Sequence, residues 1–548
     1  MAYDASRLRR YLEHDFTYEA GFRRNVHRFS RDVAVIDPPT GRTLTYAQLD
    51  TVVEQAASAL AERGTARGDR VVYQLFNSVE FAVLYLATQR LGAVGVPVNF
   101  RLAPAETGHI LRESVPTVFV YDGTLGASAA QALELAGVNP SLLVVGDAAD
   151  GGPAGAAGFD DALTAATTRV PPLPDDFSTY EETTRLYTSG TTGMPKGVSL
   201  PSIVEVMSAH DVIMHFPLGP TDRTLNMTPW FHRGGLYSGG PNPVFYVGGS
   251  VVPLRAFDAG TVLDWVPEHG ITFLIGAPTT LELLADEQER SPRDLSGLRG
   301  IVTMGAPLDR VAALRYQQLL TPRIFNGYGT TEAFWNTFLR PEDLPEHAGS
   351  AGRACTDDDV RVVKVFPEGK ATPDETVAPD GVEIGEVIMR SPKSGFSYVG
   401  IDDDEKFVGG WLYPGDLATW DADGFVTILG RKDDMIISGG ENVYPVQVEE
   451  VLAEHPKVRD AAVVGVRDER WGQRVVAYVV PHDPADPPTP DELDRHALDH
   501  PGLANFKRPR AYRVVDELPM TATGKKMHFK VAELASSDEA EGVLTSTE

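Results

Sequence analysis

The chain has 548 residues, 42% of them hydrophobic and 23% charged, with a formal net charge of −28. That length exceeds what one compact core sustains, so two or more domains are expected, and the composition is that of a folded chain rather than a disordered one. The excess of acid repels nucleic acid and anionic membrane surfaces, so an anionic ligand must be caught by local groups and not by the overall field.

The start, MAYDASRLRRYLEHDF, is charged and lacks the apolar run of a signal peptide. Runs of strand and helix length then alternate. RVVYQLF (70–76) reads as a strand, FAVLYLATQRL (81–91) as a helix, and 92–98, 116–122 and 141–147 as further buried strands. The Gly/Ala/Asp/Pro-rich stretch 148–177 reads as a surface loop or short helix. TTRLYTSG is a strand running into YTSGTTGMPKG (187–197), after which Pro201 is expected at the first position of a helix. Strand-length runs at 272–278 and 300–307 are each followed by a helical pattern. This alternation predicts α/β layers with largely parallel sheets. Near 430 the composition shifts. A strand, GFVTILG, meets the charge cluster Arg431-Lys432-Asp433-Asp434, then a helix PVQVEEVLAEH, the strands AAVVGV and RVVAYVV, and a Pro/Asp loop (481–493) suited to capping a helix. An N-terminal domain over 1–430 and a small α+β domain over 431–548 are expected, with no solenoid repeat.

No apolar stretch approaches the roughly 18 residues of a membrane helix. The final LTSTE matches no lipidation or peroxisomal address, so a cytoplasmic location is expected. One cysteine, Cys355, excludes a disulfide framework and a CxxC zinc pair, and reads as an ordinary packed residue.

YTSGTTGMPKG concentrates glycines, hydroxyls and Lys196 after a strand. Glycines let backbone N–H groups converge on an anion and hydroxyls add donors. A plain Gly/Thr-rich turn is the alternative, and the Walker pattern GxxxxGK[ST] is not matched. The stretch resembles the phosphate-loop signature of the adenylate-forming superfamily, which includes acyl-CoA synthetases, luciferases and peptide-synthetase adenylation domains. The likeness continues in order through TPWFHRGG (228–235), MGAPL (304–308), NGYGTTE (326–332), YPGDLA (413–418), GRKDDMIISGGENVYPVQVEEVL (430–452) and PMTATGKK (519–526). It spans nearly the whole chain. It implies a large N-terminal domain of layered α/β sheets with a β-barrel-like subdomain, and a small mobile α+β C-terminal domain.

It also implies ATP, Mg²⁺ and coenzyme A, and a reaction in two halves: carboxylate plus ATP gives acyl-adenylate, and a thiol then displaces AMP. By this resemblance Thr188, Ser189, Gly190, Thr191, Thr192, Gly193 and Lys196 wrap the β- and γ-phosphates. Glu332, with Thr188, holds Mg²⁺, and Thr331 donates to the α-phosphate. For Glu332 a helix-capping role is the competing reading. Tyr328 stacks on adenine against a wall of Gly305, Ala306 and Pro307, with Asn326, Gly327 and Gly329 beside it. Asp416 accepts the ribose hydroxyls, Ile428 and Arg431 lie close by, and Asp433 is the hinge. Lys525 is the catalytic lysine; Lys526 competes on composition, and only its place after Gly524 favours Lys525. Ser438, Gly439, Gly440 and Glu441 line a thiol tunnel, and Trp471, Phe506 and Arg508 meet the CoA nucleotide.

Trp230, Phe231, His232, Gly235, Met304 and Thr330 belong to the acyl pocket, with His232 as its gate. The segment WFHR lacks the aspartate that would pair a substrate ammonium. An unpaired ammonium there is costly, so a fatty, aryl or alicyclic acid is expected. The four glycines within 234–240 suggest room for a bulky or branched acyl group. Met304 and Thr330 depart from common family residues. So does the stretch after Lys525, where an arginine is common three residues on and His528 and Lys530 are the available substitutes.

The leading expectation is an ATP-dependent acid–CoA ligase, with a small carboxylic acid and CoA as partners and a homodimer among the assemblies open to it. The alternatives are an enzyme that loads a carrier-protein phosphopantetheine, a thioester-forming ligase that uses preformed acyl-adenylate, a luciferase-type oxygenase, and a non-catalytic acyl or nucleotide sensor.

Overall fold

The structure is a computed structural model, and it describes residues 4–147, 151–188, 194–305, 308–366, 369–401, 406–438, 441–468, 470–500, 502–520 and 526–546. The strands read from the first third of the sequence join one seven-stranded sheet. Its spatial order is 157–158, 141–145, 118–122, 70–74, 94–97, 182–188, 196–201. All pairs in it are parallel except the last, which is an antiparallel hairpin. Val71, Val72 and Tyr73 are fully buried, as strands covered on both faces must be. The helix Val79–Leu91 is started by the Ser78 hydroxyl, which accepts from the Phe81 N–H, and is ended by Gly92 at φ 63°.

A nine-stranded sheet follows in the order 353–354, 334–339, 324–330, 300–304, 273–276, 223–226, 250–251, 33–37, 42–45. Its centre is parallel and both edges are antiparallel. The helix Ser202–His215 contributes Val206 and Val212 to the same core as Phe216, Phe273 and Trp335. Pro201 stands just before this helix and not within it, because it is still paired with Glu182 as extended strand. A third sheet is wholly antiparallel and is built from 359–363, 385–390, 407–408, 411–412, 416–420 and 426–431. It stands where the barrel-like subdomain is expected.

The last sheet has its own core, with Ile436, Val448, Val463, Val475 and Tyr512 buried together. Its spine is a long antiparallel pair, Val458–Asp468 with Gly472–Pro481, flanked by Ala511–Val514. The helix Pro490–Asp499 opens with a capping box, Thr489 with Glu492, at the end of the Pro/Asp loop. No helix among the described residues is long and apolar enough to cross a membrane.

Candidate active site

The strands on either side of the glycine-rich stretch pair antiparallel. Thr188 and Lys196 face each other across these two strands. Ser189, Gly190, Thr191, Thr192 and Gly193 lie outside the described residues, as do Ala306, Pro307, Gly439, Gly440 and Lys525. The second strand meets Tyr398: Val198 bridges to it, and the Val399 N–H donates to the Gly197 carbonyl at 2.8 Å. The Lys196 ammonium stands 5.2 Å from the centre of the Tyr398 ring, and the Tyr398 hydroxyl donates to the Glu332 carboxylate. The Lys406 ammonium is 3.4 Å from the same hydroxyl. Tyr398 thus joins the phosphate hairpin to Glu332, and the sequence reading misses it. The only signal is a tyrosine among small residues in GFSYVG.

Glu332 does not cap a helix. It sits in the tight turn between the antiparallel strands Ile324–Thr330 and Phe334–Leu339. A Cβ on Gly329 would fall 1.6 Å from the Phe334 carbonyl oxygen, so only glycine lets this turn close. Phe334 itself takes φ 63°, a conformation that costs a bulky residue about 1–3 kcal/mol and persists only where surrounding contacts fix it. Those contacts are identifiable. The Gly395 N–H donates to the Glu332 carbonyl at 2.7 Å, and the Arg233 guanidinium donates to the Thr331 carbonyl at 2.8 Å.

Arg233 also reaches the Lys393 carbonyl at 2.7 Å and the Ser208 hydroxyl at 3.2 Å, with the Tyr237 and Phe334 rings 5.0 and 5.5 Å away. Its counter-charge is Glu205, which accepts from Tyr85 at 2.7 Å, Tyr237 at 2.8 Å and Asn242 at 2.9 Å. Burial pushes the Glu205 carboxyl up and the Arg233 guanidinium down from their ordinary ranges. Behind them the buried Lys393 ammonium lies 2.9 Å from both Asp211 and Asp358. Asp211, His215 and Cys355 bring donor atoms within 4.8 Å of one another. The Lys393 ammonium already fills the cationic place beside Asp211, so the group is an ion-pair network and not a metal centre. Cys355 is buried, as expected.

Several residues that the motifs assign to the nucleotide lie together. Asp416 and Arg431 are directly paired across adjacent strands, with guanidinium to carboxylate at 3.1 Å. The Tyr328 hydroxyl donates to the other Asp416 oxygen at 2.6 Å, and burial followed by the Asp416 charge drives the phenol well above its ordinary range. Ile428 and Tyr328 pack against one apolar cluster. Met304 pairs with Gly327 across neighbouring strands, and Asn326 pairs with Thr303. Gly305, at φ 90°, follows directly. Thr330 uses its hydroxyl locally, accepting from the Ala333 N–H at 3.2 Å.

Trp230 and Phe231 are buried, and the Trp230 backbone N–H donates to the Asn77 side-chain oxygen at 2.7 Å. His232 is half-buried, its ring centre 4.2 Å from that of Phe231. The glycines of 234–240 do not open space. A Cβ on Gly235 would lie 1.9 Å from the Pro229 carbonyl oxygen, one on Gly240 2.0 Å from the Gly235 carbonyl oxygen, and one on Gly234 2.8 Å from Met304 Sδ. Close backbone packing requires them, and they carry no argument for a bulky acyl group.

In the last sheet Ser438 and Glu441 flank a hairpin turn, and Ser438 pairs with Gly472, next to Trp471. Trp471 and Phe506 each precede, by one and five residues, the start of one of two parallel neighbouring strands, Gly472–Pro481 and Ala511–Val514. They are 46% and 41% exposed. Arg508 departs from expectation. Its side chain is buried and paired with Asp494, so in this structure it is held by the domain's own acid. Asp433 is exposed in the short turn Lys432–Asp434. Lys526 is engaged with Glu449 at 3.1 Å and Asp460 at 2.9 Å.

Comparison with known proteins agrees with this geometry. The profile of the AMP-binding enzyme family matches residues 22–398, and that of the AMP-binding enzyme C-terminal domain matches 447–525. A 4-chlorobenzoate–CoA ligase from Arthrobacter sp. is 33% identical over 511 residues, covering 91% of this chain and 92% of the relative. The anthranilate CoA ligase AuaEII in complex with anthranoyl-AMP superposes with a TM-score of 0.86 at 27% identity, covering 98% of this chain and 100% of that one. The O-succinylbenzoate coenzyme A synthetase MenE from Bacillus subtilis, in complex with ATP and magnesium ion, superposes with a TM-score of 0.80 at 26% identity, covering 93% and 98%. With its ordered motifs, its four sheets and both family profiles in agreement, the chain belongs to the AMP-binding enzymes of the adenylate-forming superfamily.

Proposed function

We propose that the chain is an AMP-forming acid–CoA ligase whose substrate is an aryl carboxylic acid. The observation that carries this reading is the convergence of Tyr328, Asp416 and Arg431 at one end of a site whose other end holds Lys196, Tyr398 and Glu332. An aryl acid suits the aromatics Trp230 and Phe231 of the segment that the motifs assign to the acyl pocket. It is also favoured by the acids named for two of the relatives, 4-chlorobenzoate and anthranilate. A carrier protein as acceptor is not favoured. The domain boundary at 430/431 fits the separate core of the last sheet and the exposed turn at Asp433.

The obstacle in the first half is charge, since a carboxylate must approach a triphosphate. Two unit charges 4 Å apart repel by about 4 kcal/mol at an effective dielectric of 20. Lys196 and the hydroxyls and N–H groups of 188–193 take up the β- and γ-phosphates, and the Thr331 hydroxyl donates to the α-phosphate. Asp416 accepts the ribose hydroxyls while Tyr328 and the backbone at Gly305 enclose adenine. Lys525 places its ammonium between the carboxylate and the α-phosphate, where negative charge grows in the transition state. Glu332 with Thr188 offers hard oxygen donors suited to Mg²⁺, which when bound neutralises phosphate charge. In the second half the domain after Asp433 turns, the 438–441 segment forms a thiol path, and Trp471 and Phe506 receive the CoA nucleotide. His232 separates the two compartments. A CoA phosphate would be met by Arg508 only after it exchanges Asp494.

The test incubates the full chain with a panel of benzoic and arylacetic acids, ATP, Mg²⁺ and CoA, with products read by mass. The expected result is AMP and aroyl-CoA in equal amounts for at least one acid. Thioester formed only on a phosphopantetheinyl carrier protein, or no AMP with any acid, would overturn the reading.

A further inference from the structure

The segment 521–525, which contains Lys525, lies outside the described residues, and the residues on either side of it meet. Met520 and Lys526 form an antiparallel bridge, and the Met527 N–H donates to the Pro519 carbonyl at 2.9 Å. The return side is anchored by charge. Lys526 lies 3.1 Å from Glu449 and 2.9 Å from Asp460, and it also donates to the Ala461 carbonyl at 2.5 Å. Glu449 belongs to the helix Pro445–Ala453, is buried, and accepts from the Val463 N–H at 2.8 Å. Its other neighbour is the His528 ring, with Nε2 to carboxylate at 2.7 Å. The second ring nitrogen, Nδ1, faces Asp434 at 3.9 Å. Asp434 is the residue after the proposed hinge, Asp433.

The geometry points to His528 as a positioning residue for the adenylation half, tying the root of the lysine segment to the hinge. The imidazolium meets a carboxylate on each side, through a hydrogen bond from Nε2 to Glu449 and a longer ion pair from Nδ1 to Asp434; the neutral ring can keep the first but loses the second. The charged groups around it are Glu449 and Lys526 on one side and Asp434 on the other, with Arg431 and Asp433 next to Asp434. Glu449 and Asp434 outweigh Lys526 and burial, so the imidazole holds its proton above the ordinary value of 6.5. The cations beside Glu449 hold that carboxyl down to about 2, so it stays ionised throughout the working range. The sign follows. A raised histidine stabilises the folded tie fully below 6.5, and the contribution is lost as pH rises through the folded value. Above it, Asp434 loses the His528 charge and keeps that of Arg431 in its own segment, so the hold of the helix Pro445–Ala453 on the hinge turn weakens.

This inference rests on the reading of Lys525 and Asp433 given above, and its test is arranged to separate the two. In the full chain, adenylation is measured as pyrophosphate exchange, and thioester formation is measured from synthetic acyl-adenylate and CoA, both across the neutral range. His528→Arg carries a permanent cation, and His528→Gln carries none. The wild type should lose adenylation as pH rises, while His528→Arg should be flat. His528→Gln should adenylate about tenfold more slowly near pH 6 and change the thioester half by less than about twofold. Identical pH profiles for wild type and His528→Arg, or equal loss of both halves in His528→Gln, would overturn the inference. Hydrogen exchange at the 431–435 amides, corrected for intrinsic rates, should rise with pH in wild type and not in His528→Arg. That readout needs no turnover. If it holds while no acid is adenylated, the tie stands and the ligase reading falls; if it fails, the tie falls whatever the enzyme does.

Discussion

At the ribose end of the proposed nucleotide site, Asp416 and Arg431 face each other across one antiparallel strand pair, and Tyr328 closes the group with a single hydroxyl. At the Glu332 end, a strained turn is held by Arg233, Gly395 and Tyr398, and Arg233 in turn depends on Glu205 and the Lys393 carbonyl. The first end takes its geometry from register, which adjacent strands supply locally. The second takes it from charge and hydrogen bonds brought from three remote segments. A register-built group should lose ligand contacts when altered and little else. A group built from buried, mutually dependent ions should lose structure.

Arg233→Met is the harshest way to break this contrast. It leaves the Thr331 and Lys393 carbonyls without their donor and removes a positive charge that acts through space on buried Glu205, a loss of about 2–5 kcal/mol in denaturant unfolding. Adding Glu205→Gln should restore part of it, since the unpaired acid is then gone. A loss below about 1 kcal/mol would mean that the turn holds itself. Asp416→Ala should raise the KM for ATP by about a hundredfold while the melting temperature moves by only a few degrees. A collapse of stability would place the ribose end in the same class as the Glu332 end. The mildest change is Tyr398→Phe. It removes only the hydroxyl that meets Glu332, and should lower kcat about fivefold and raise the Mg²⁺ needed for half-maximal rate. An unchanged Mg²⁺ requirement would show that the hydroxyl orients nothing.

The same contrast explains what the sequence could reveal. Tyr328, Asp416 and Arg431 each sit in a short motif; Asp416 and Arg431 meet by the register of two adjacent strands, and Tyr328 reaches them from a neighbouring sheet. The strands at 70–76, 116–122 and 141–147 were legible for the same reason, because buried parallel strands are continuous apolar runs. Tyr398, Glu205 and Lys393 belong to no motif, and their roles exist only once distant segments are adjacent. Glu332 illustrates the limit from the other side. Thr-Thr-Glu is compatible with a helix start, and only Gly329 and the left-handed Phe334 show that the chain reverses into a strand. The glycines of 234–240 were visible but misleading, since a glycine in sequence looks the same whether it leaves space or permits contact. Lys526 and Lys525 were indistinguishable by composition. The carboxylates of Glu449 and Asp460 single out Lys526 as the fixed one.

The long strand Gly472–Pro481 has a further consequence. Ser438 joins it at Gly472, while Asp460, which grips Lys526, is paired with Val480 at the far end. Those two positions are separated by about 25 Å of extended chain, flanked on both sides and too stiff to fold back on itself. On the proposed roles of Lys525 and of the 438–441 segment, the activating and thiol-delivering tools would be mounted towards opposite tips of one rod and could not both reach the same carboxyl carbon. The order of the two steps would then be imposed by mechanical stiffness, leaving the thiol no route to the acid until the first tool has withdrawn.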